Sequence, residues 1–215
     1  MPIRAAIFDM DGLLLDSERL YREAFLKAAR GLGVEADDAT YAALIGLGRK
    51  SSQDVLRGRY GPDADALDAA WSEGVVRLMA APIPLRPGAR TVLRALHGAL
   101  PLAVATSTKT GEALRRLEAA NLLPFFETVV GAGDVARTKP APDLYLLAAE
   151  RLGTAPADCA AFEDSANGTR AALAAGMRVV QVPDLVDADP SLGQVVAADL
   201  IAGARALGLT VEDAA

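Results

Sequence analysis

Ile3-Arg-Ala-Ala-Ile-Phe8-Asp9-Met-Asp11-Gly12 is the most informative stretch of this chain. Its first six residues are mostly apolar and predict a buried β-strand over residues 3–8. Asp9 and Asp11 follow that strand and share one side of it if the extended path continues. Two carboxylates so close repel each other and lose water on burial, which a divalent cation or a shared proton would relieve. The pair therefore indicates either a catalytic site or an ordinary Asp-Gly turn after a core strand.

Composition limits the classes of protein to which the chain can belong. Its 215 residues suit one domain or one domain with an insertion, and 52% hydrophobic with 23% charged residues is typical of a globular protein. The formal net charge of −6 argues against non-specific binding to nucleic acid, and no apolar run is long enough to span a bilayer. A single cysteine, Cys159, and acidic residues near the N-terminus are compatible with a reducing cytoplasm. We therefore expect a cytoplasmic protein with neither a membrane nor a nucleic acid as its partner.

Helical and strand patterns alternate along the chain, with one interruption. Between the first strand and Pro87 the patterns are all helical, over residues 17–29, 37–45, 51–59 and 63–80. The stretch Pro82-Ile-Pro84-Leu-Arg-Pro87-Gly88 then breaks the helical pattern and indicates a linker. Beyond it, strands are predicted over residues 102–106, 127–130, 159–163, 178–182 and 195–198, and helices over residues 112–120, 143–152 and 166–175.

This order of elements predicts an α/β fold. Strands that alternate with helices form a parallel sheet with right-handed crossovers and helices on both faces. We therefore expect a Rossmann-like parallel sheet core made from residues 1–15 and 86–215. An all-helical cap domain over residues 16–85 would be inserted after the first strand.

Four blocks of sequence lie at or near the ends of the predicted strands, and ligands of open α/β sheets bind outside the carboxyl ends of the strands. The blocks are Asp9-Met-Asp11-Gly12-Leu-Leu-Leu-Asp16-Ser17, Val104-Ala-Thr106-Ser107, Lys139-Pro-Ala-Pro142-Asp143-Leu-Tyr145 and Phe162-Glu163-Asp164-Ser165-Ala-Asn-Gly168. Together they resemble the signature blocks of the haloacid dehalogenase (HAD) superfamily of phosphotransferases, in the branch with a helical cap after the first strand. The resemblance covers nearly the whole chain.

The resemblance implies a catalytic role for four residues. Asp9 would be the nucleophile that attacks phosphorus and becomes an aspartyl-phosphate. Asp11 would protonate the leaving oxygen as a general acid and then activate water as a base. Thr106 would donate a hydrogen bond to a phosphoryl oxygen, and Lys139 would neutralise the nucleophile and the transferring group.

The same resemblance implies a Mg²⁺ site. Asp9 and Asp164 would bind the ion through their carboxylates and Asp11 through its backbone carbonyl, with Glu163 as a further ligand or a neighbour of the ligands. The loop after the second strand carries Ser107 and Lys109, which would line the phosphate pocket; Lys109 could equally be solvated.

Asp11 separates this chain from two branches of the superfamily that it otherwise resembles. The dehalogenases lack this second aspartate, because their chemistry needs neither an acid for the leaving group nor a metal. The phosphonoacetaldehyde hydrolases also replace it, and they use a cap lysine to form a Schiff base. The chain is therefore more similar to the phosphatases and to the sugar phosphate mutases.

One loop of the predicted cap resembles the mutases. This loop, Gly46-Leu-Gly48-Arg49-Lys50-Ser51, is similar to the specificity loop of β-phosphoglucomutases. By that resemblance, Arg49 would bind the phosphate that is not being transferred, with both ends of its guanidinium fork. However, Tyr21 stands where those mutases carry a histidine that disfavours attack by water. Ile45 stands where they commonly carry a lysine.

The stretch Asp16-Ser17-Glu18 resembles instead the small sugar phosphate phosphatases of this branch. Glu18 would contact substrate hydroxyls, or it is simply an acid that favours the start of a helix. We therefore expect a Mg²⁺-dependent phosphatase that hydrolyses a small phosphorylated metabolite of the sugar or polyol phosphate class and acts as a monomer. The alternatives are a sugar phosphate mutase of the β-phosphoglucomutase type and a non-catalytic binding module.

Overall fold

The computed structural model describes residues 2–45, 47 and 49–212, and for residues 49–51 it describes the backbone alone. The chain so described forms two compact units. One, here called the sheet unit, contains Met1–Asp16 and Ile83–Ala215, and the other, here called the helical unit, contains Ser17–Pro82. Within the described ranges, every helix is too short or too polar to cross a lipid bilayer.

The sheet unit is built on parallel strands, which confirms the predicted α/β fold class. The strands are β1 (Ala5–Phe8), β2 (Leu102–Ala105), β3 (Thr128–Val130), β4 (Cys159–Glu163), β5 (Arg178–Gln181) and β6 (Val195–Val196). They form one sheet in the order β3-β2-β1-β4-β5-β6. Every side chain of β1 and β4 is buried, as is typical of a parallel sheet with both faces covered.

Strand register brings the ends of the central strands to one edge of the sheet. Phe8 pairs with Val104 on one side and with Phe162 on the other. The rings of Phe8 and Phe162 stack with their centroids 4.7 Å apart. Asp9 follows directly, and its N–H donates to the carbonyl of Phe162 over 2.9 Å. The residues that come next on β1, β2 and β4 therefore lie side by side.

The helical unit has an aromatic core. It contains α1 (Ser17–Gly31), α2 (Asp38–Ala42), α3 (Arg49–Tyr60) and α4 (Ala64–Leu78). The ring of Phe25 lies 5.2 Å from that of Trp71 and 5.8 Å from that of Tyr41, centroid to centroid. Nε1 of Trp71 also donates to the carbonyl of Tyr21 over 2.9 Å, which ties α4 to α1.

The remaining helices belong to the sheet unit. They are α5 (Ala89–Leu96), α6 (Thr110–Ala119), α7 (Asp143–Arg151), α8 (Ala166–Ala174) and α9 (Leu200–Ala206). Of these, α5 and α9 lie outside the helical ranges predicted from the sequence, although His97 before Gly98 indicates the end of a helix at the place where α5 ends. The Asp199 side chain caps α9 by accepting from the N–H of Ala202 over 2.8 Å. Elsewhere the predicted ends differ by up to two residues, except that α2 ends three residues early.

Candidate active site

Asp9 and Asp11 leave the end of β1 in a tight turn. Met10 between them is fully buried, and Gly12 has a φ of 82°, in the left-handed region that favours glycine. The N–H of Gly12 then donates to the carbonyl of Leu15 over 2.9 Å. The side chain of Asp9 is 9% exposed and that of Asp11 is 16% exposed. Both carboxyl groups are therefore largely shielded from water.

Lys139 lies between the carboxylates of Asp9 and Glu163, and all three side chains are buried. Its Nζ donates to Oδ1 of Asp9 and, over 2.5 Å, to Oε1 of Glu163. Burial alone would lower the pKa of Lys139, but the charges of Asp9 and Glu163 outweigh it and raise that pKa above its ordinary value. Burial raises the pKa of the Asp9 carboxyl, and the charge of Lys139 opposes that rise. Lys139 is thus held as a cation between two acids.

Glu163 is fully buried and is surrounded by donors. The hydroxyl of Tyr145 donates to Oε1 over 2.5 Å, and the hydroxyl of Ser165 donates to Oε2 over 3.2 Å. Gly168 on α8 passes so close that a Cβ there would lie 1.9 Å from the carboxyl carbon of Glu163. The first turn of α8 therefore requires glycine at this position, and Glu163 has a fixed place.

An acidic cluster of Asp9, Glu163 and Asp164 fits a divalent cation. One carboxylate oxygen from each residue lies within 4.8 Å of the others, and all three residues are buried. The side chain of Gln181 donates to the carbonyl of Asp164 over 3.0 Å and fixes the backbone there. Carboxylate oxygens are the hard ligands that Mg²⁺ prefers, and three acids beside one lysine leave a negative charge for a cation to balance. The donor set therefore fits the Mg²⁺ that the resemblance implies.

The loop after β2 places Thr106 at the same edge of the sheet as Asp9. Thr106 is buried, and its N–H donates to the carbonyl of Val130 over 2.9 Å. Its Oγ1 accepts a hydrogen bond from the N–H of Thr108 over 3.1 Å. Ser107 and Lys109, on the same loop, are exposed.

Asp11 contacts side chains that sequence reasoning missed. Its Oδ2 accepts from the hydroxyl of Thr108 over 2.7 Å, and its Oδ1 accepts from Nη1 of Arg116 over 2.8 Å. Arg116 lies on α6 and also donates to Glu112, one turn earlier. The spacing of Glu112 and Arg116 was an available signal, but it indicates an ion pair along a helix and not a contact with Asp11. Tyr145 lies within the third sequence block, and its position there indicates no role for its hydroxyl.

Of the two predicted substrate-binding residues in the helical unit, Glu18 has a described side chain and Arg49 does not. Glu18 lies in the first turn of α1, and its Oε2 accepts from the hydroxyl of Tyr41 over 2.8 Å. Arg49 begins α3, but its side chain lies outside the described residues, as do Gly46 and Gly48 of the predicted specificity loop. Glu18 is therefore engaged within its own unit.

Comparison with known families shows to which family the chain belongs. Residues 3–176 match the family model of the haloacid dehalogenase-like hydrolases. The chain belongs to this family. The match includes all four sequence blocks and confirms the resemblance that they indicated.

Relatives of this HAD-like hydrolase include named phosphatases. It is 35% identical over 181 residues to the fructose-1-phosphate phosphatase YqaB of Escherichia coli, covering 82% of this chain and 94% of the relative. It is 33% identical over 185 residues to the phosphorylated carbohydrates phosphatase of Thermotoga maritima, covering 81% and 82%. The solved structure of CbbY from Rhodobacter sphaeroides with xylulose 1,5-bisphosphate is similar with a TM-score of 0.73 and 30% identity, covering 92% and 94%. These findings confirm the prediction of an enzyme with phosphatase activity.

Proposed function

We propose that this protein is a Mg²⁺-dependent phosphatase that hydrolyses a small metabolite of the sugar or polyol phosphate class, with an aspartyl-phosphate on Asp9 as the intermediate. The proposal rests on one observation: the buried carboxylate of Asp9 contacts Nζ of Lys139 beside the acidic cluster with Glu163 and Asp164. A carboxylate fixed against a cation suits attack on an anionic phosphoryl group, because the lysine offsets the repulsion between nucleophile and substrate.

In the first step, an oxygen of Asp9 forms a bond to phosphorus, and the bond from phosphorus to the ester oxygen breaks. Asp11 donates a proton to that leaving oxygen, so the alcohol departs uncharged. Lys139 keeps its proton, since the charges of Asp9 and Glu163 raise its pKa. Its positive charge stabilises the oxygens of the transferring group.

In the second step, a water oxygen bonds to phosphorus as Asp11, now a carboxylate, accepts the proton of the water. The bond between phosphorus and Asp9 breaks, which releases inorganic phosphate and restores both aspartates. Thr106 donates its hydroxyl proton to a phosphoryl oxygen; its Oγ1 accepts from the N–H of Thr108, which leaves that proton available. Ser107 and Lys109 extend this phosphate pocket along the loop.

The acidic cluster would hold the metal. Asp9, Glu163 and Asp164 offer carboxylate oxygens, and Asp11 offers its backbone carbonyl. When bound, Mg²⁺ supplies positive charge that offsets the repulsion between Asp9 and the phosphate. Lys139 contributes to the same end from the protein itself, because it contacts two of these carboxylates.

The relatives support the substrate class. Fructose 1-phosphate, phosphorylated carbohydrates and xylulose 1,5-bisphosphate are the compounds in the names of the related proteins. All of them join a phosphate to a small polyhydroxylated carbon chain. Glu18 and Arg49 are the side chains that we propose for recognising, respectively, substrate hydroxyls and a second anionic group.

Phosphate release from a panel of sugar, polyol and nucleoside monophosphates, measured with and without Mg²⁺, tests the proposal. We expect metal-dependent release from the sugar or polyol esters, and none in the matched variant Asp9→Asn, which removes the nucleophile but keeps the shape of the side chain. No release from folded protein, or release that persists in Asp9→Asn, would contradict the proposal. Isomerisation of a sugar monophosphate primed by its bisphosphate, without net release, would favour the mutase.

A further inference from the structure

The carboxylate of Asp11 is held by donors from within the sheet unit. The hydroxyl of Thr108 donates to Oδ2 over 2.7 Å, and Nη1 of Arg116 donates to Oδ1 over 2.8 Å. The side chain of Arg116 is 8% exposed, and its Nη2 donates to Glu112, whose side chain is 43% exposed. The guanidinium of Arg116 thus lies between the carboxyl groups of Asp11 and Glu112, in a row of side chains that runs from the site towards the surface.

Arg116 lies on the buried side of α6. Ala113, three residues before it, and Leu117, directly after it, are fully buried, whereas its neighbour Arg115 is exposed. A guanidinium in such a place loses its hydration and is retained when charged partners replace the water. Asp11, one of its partners, lies on a different element from α6, so the helix alone does not account for the position of Arg116.

We propose that Arg116 is a positioning residue that holds Asp11 in place for its acid and base steps, and that Glu112 orients Arg116. The inference rests on the proposed function, in which Asp11 must reach first the leaving oxygen and then the attacking water. A guanidinium is planar and presents its N–H groups in a fixed fork, so contact with it restricts both the position and the orientation of a carboxylate. Thr108 restricts the other oxygen of Asp11.

A positioning role through Asp11 makes the effect of Arg116 depend on the leaving group. A sugar or polyol phosphate releases a strongly basic alkoxide oxygen that needs a proton, whereas p-nitrophenyl phosphate releases a phenolate that is stable without one. Arg116→Met removes the charge but keeps an apolar stem. We expect it to lower kcat/KM for the sugar phosphate by about 10- to 100-fold, part of the usual contribution of a general acid. The value for p-nitrophenyl phosphate should change little.

Three further variants separate this role from a structural one. Arg115→Met, on the same helix but exposed, is the matched control and should leave both values unchanged. Arg116→Lys keeps a positively charged donor but lacks the planar fork. It should recover part of the kcat/KM for the sugar phosphate that Arg116→Met loses. In an Asp11→Asn background, Arg116→Met should lower kcat/KM for the sugar phosphate little further, because the effects of residues that act as a unit are not additive.

Equal losses for both esters, or full additivity with Asp11→Asn, would overturn the inference, since Arg116 would then support the fold alone. Thermal unfolding identifies variants that do not fold. If Arg116→Met does not fold, the test uses Arg116→Lys instead. The inference is then overturned if the ratio of kcat/KM for the sugar phosphate to kcat/KM for p-nitrophenyl phosphate is the same in Arg116→Lys as in wild type. Wild-type protein that releases phosphate from neither ester would contradict the proposed function and this inference together, whereas the changes of ratio concern Arg116 alone.

Discussion

The hydroxyl of Tyr145 donates a hydrogen bond to Oε1 of Glu163 over 2.5 Å, and both side chains are fully buried. The centroid of the same ring lies 5.2 Å from Nζ of Lys139, which also donates to Glu163. Burial raises the pKa of Tyr145, so its hydroxyl stays protonated and remains a donor at neutral pH. Tyr145, which lies on α7, therefore contacts both Glu163 and Lys139 and helps to hold them in place.

Tyr145→Phe keeps the ring and removes this donor. We expect Mg²⁺ to bind about 10- to 100-fold more weakly, as is usual when a hydrogen-bond partner of a metal ligand is lost. Isothermal titration of Mg²⁺ into protein without substrate measures the affinity directly. Tyr60→Phe is the control, because the hydroxyl of Tyr60 is buried and forms no hydrogen bond among the described residues. Equal affinities in wild type and Tyr145→Phe would contradict this expectation.

Gly168→Ala places a methyl group against the carboxyl group of Glu163, which Lys139 and Tyr145 hold in place. We expect the free energy of unfolding to fall by about 1–3 kcal/mol, the usual cost of overpacking, and phosphate release to fall with it. Denaturation by urea measures the change.

Gly58→Ala in α3 is the matched control for Gly168→Ala. Among the described residues, and apart from its chain neighbours and the nearby backbone of its own helix, no atom lies within 4 Å of the Cβ that it adds. Alanine in a helix interior is favoured over glycine, so this control should be more stable than wild type by about 0.5–1 kcal/mol. A Gly168→Ala protein as stable as wild type would mean that Glu163 moves aside at no cost.

Lys139→Met leaves the carboxylates of Asp9 and Glu163 buried without their shared cation. Removing one partner of a buried ion pair costs about 3–5 kcal/mol, so we expect a loss of that order in the free energy of unfolding measured without metal, together with loss of phosphate release. Adding Asp9→Asn removes one of the two acids and should recover part of the stability. A double variant no more stable than Lys139→Met would show that the charge of Asp9 is not the cause.

Asp134 ties the end of β3 to the start of α6. Its Oδ2 accepts from the N–H of Gly131 over 3.0 Å and from the hydroxyl of Thr110 over 2.9 Å. The bond from the Gly131 amide is the main cause that lowers the pKa of Asp134 from its ordinary value of 3.8. A carboxyl with a lowered pKa stabilises the fold above the pKa of the unfolded chain and loses that contribution as the pH falls through the folded value.

We therefore expect Asp134→Asn to be less stable than wild type at about pH 6 and to lose less stability than wild type on acidification to about pH 3. Urea denaturation of both proteins at the two pH values makes the comparison. Parallel losses would indicate that other carboxyl groups carry the acid sensitivity of this region.

Residues at strand ends could be placed from the sequence. Asp9, Thr106 and Glu163 each end or follow a short apolar strand, and parallel strands bring their carboxyl ends to one edge. Lys139 differs, because it lies in the loop before α7 and its approach to Asp9 depends on a chain path that periodicity does not specify. Its place beside Asp9 was indicated by the family resemblance alone.

The side-chain contacts around the site could not be obtained in this way. Helical periodicity indicates that one side of α6 is buried, but it does not say that Arg116 meets Asp11 there. Tyr145 has the pattern of a core aromatic residue, and nothing in its spacing reveals that its hydroxyl meets Glu163. Such contacts depend on how helices are seated against the sheet, which a single sequence does not specify.

The central position of β1 has a consequence for biosynthesis. Ala6 pairs with Leu102 and with Ala160, so both neighbours of the strand that leads to Asp9 are translated long after it. Contacts so distant in sequence form late, because the intervening chain must first be made and its ends brought together. A nascent chain that stops before β4 has Asp9 and Lys139 but lacks Glu163 and Asp164. We therefore expect phosphate release to require a chain that extends past Asp164, because the acidic cluster is incomplete before that point.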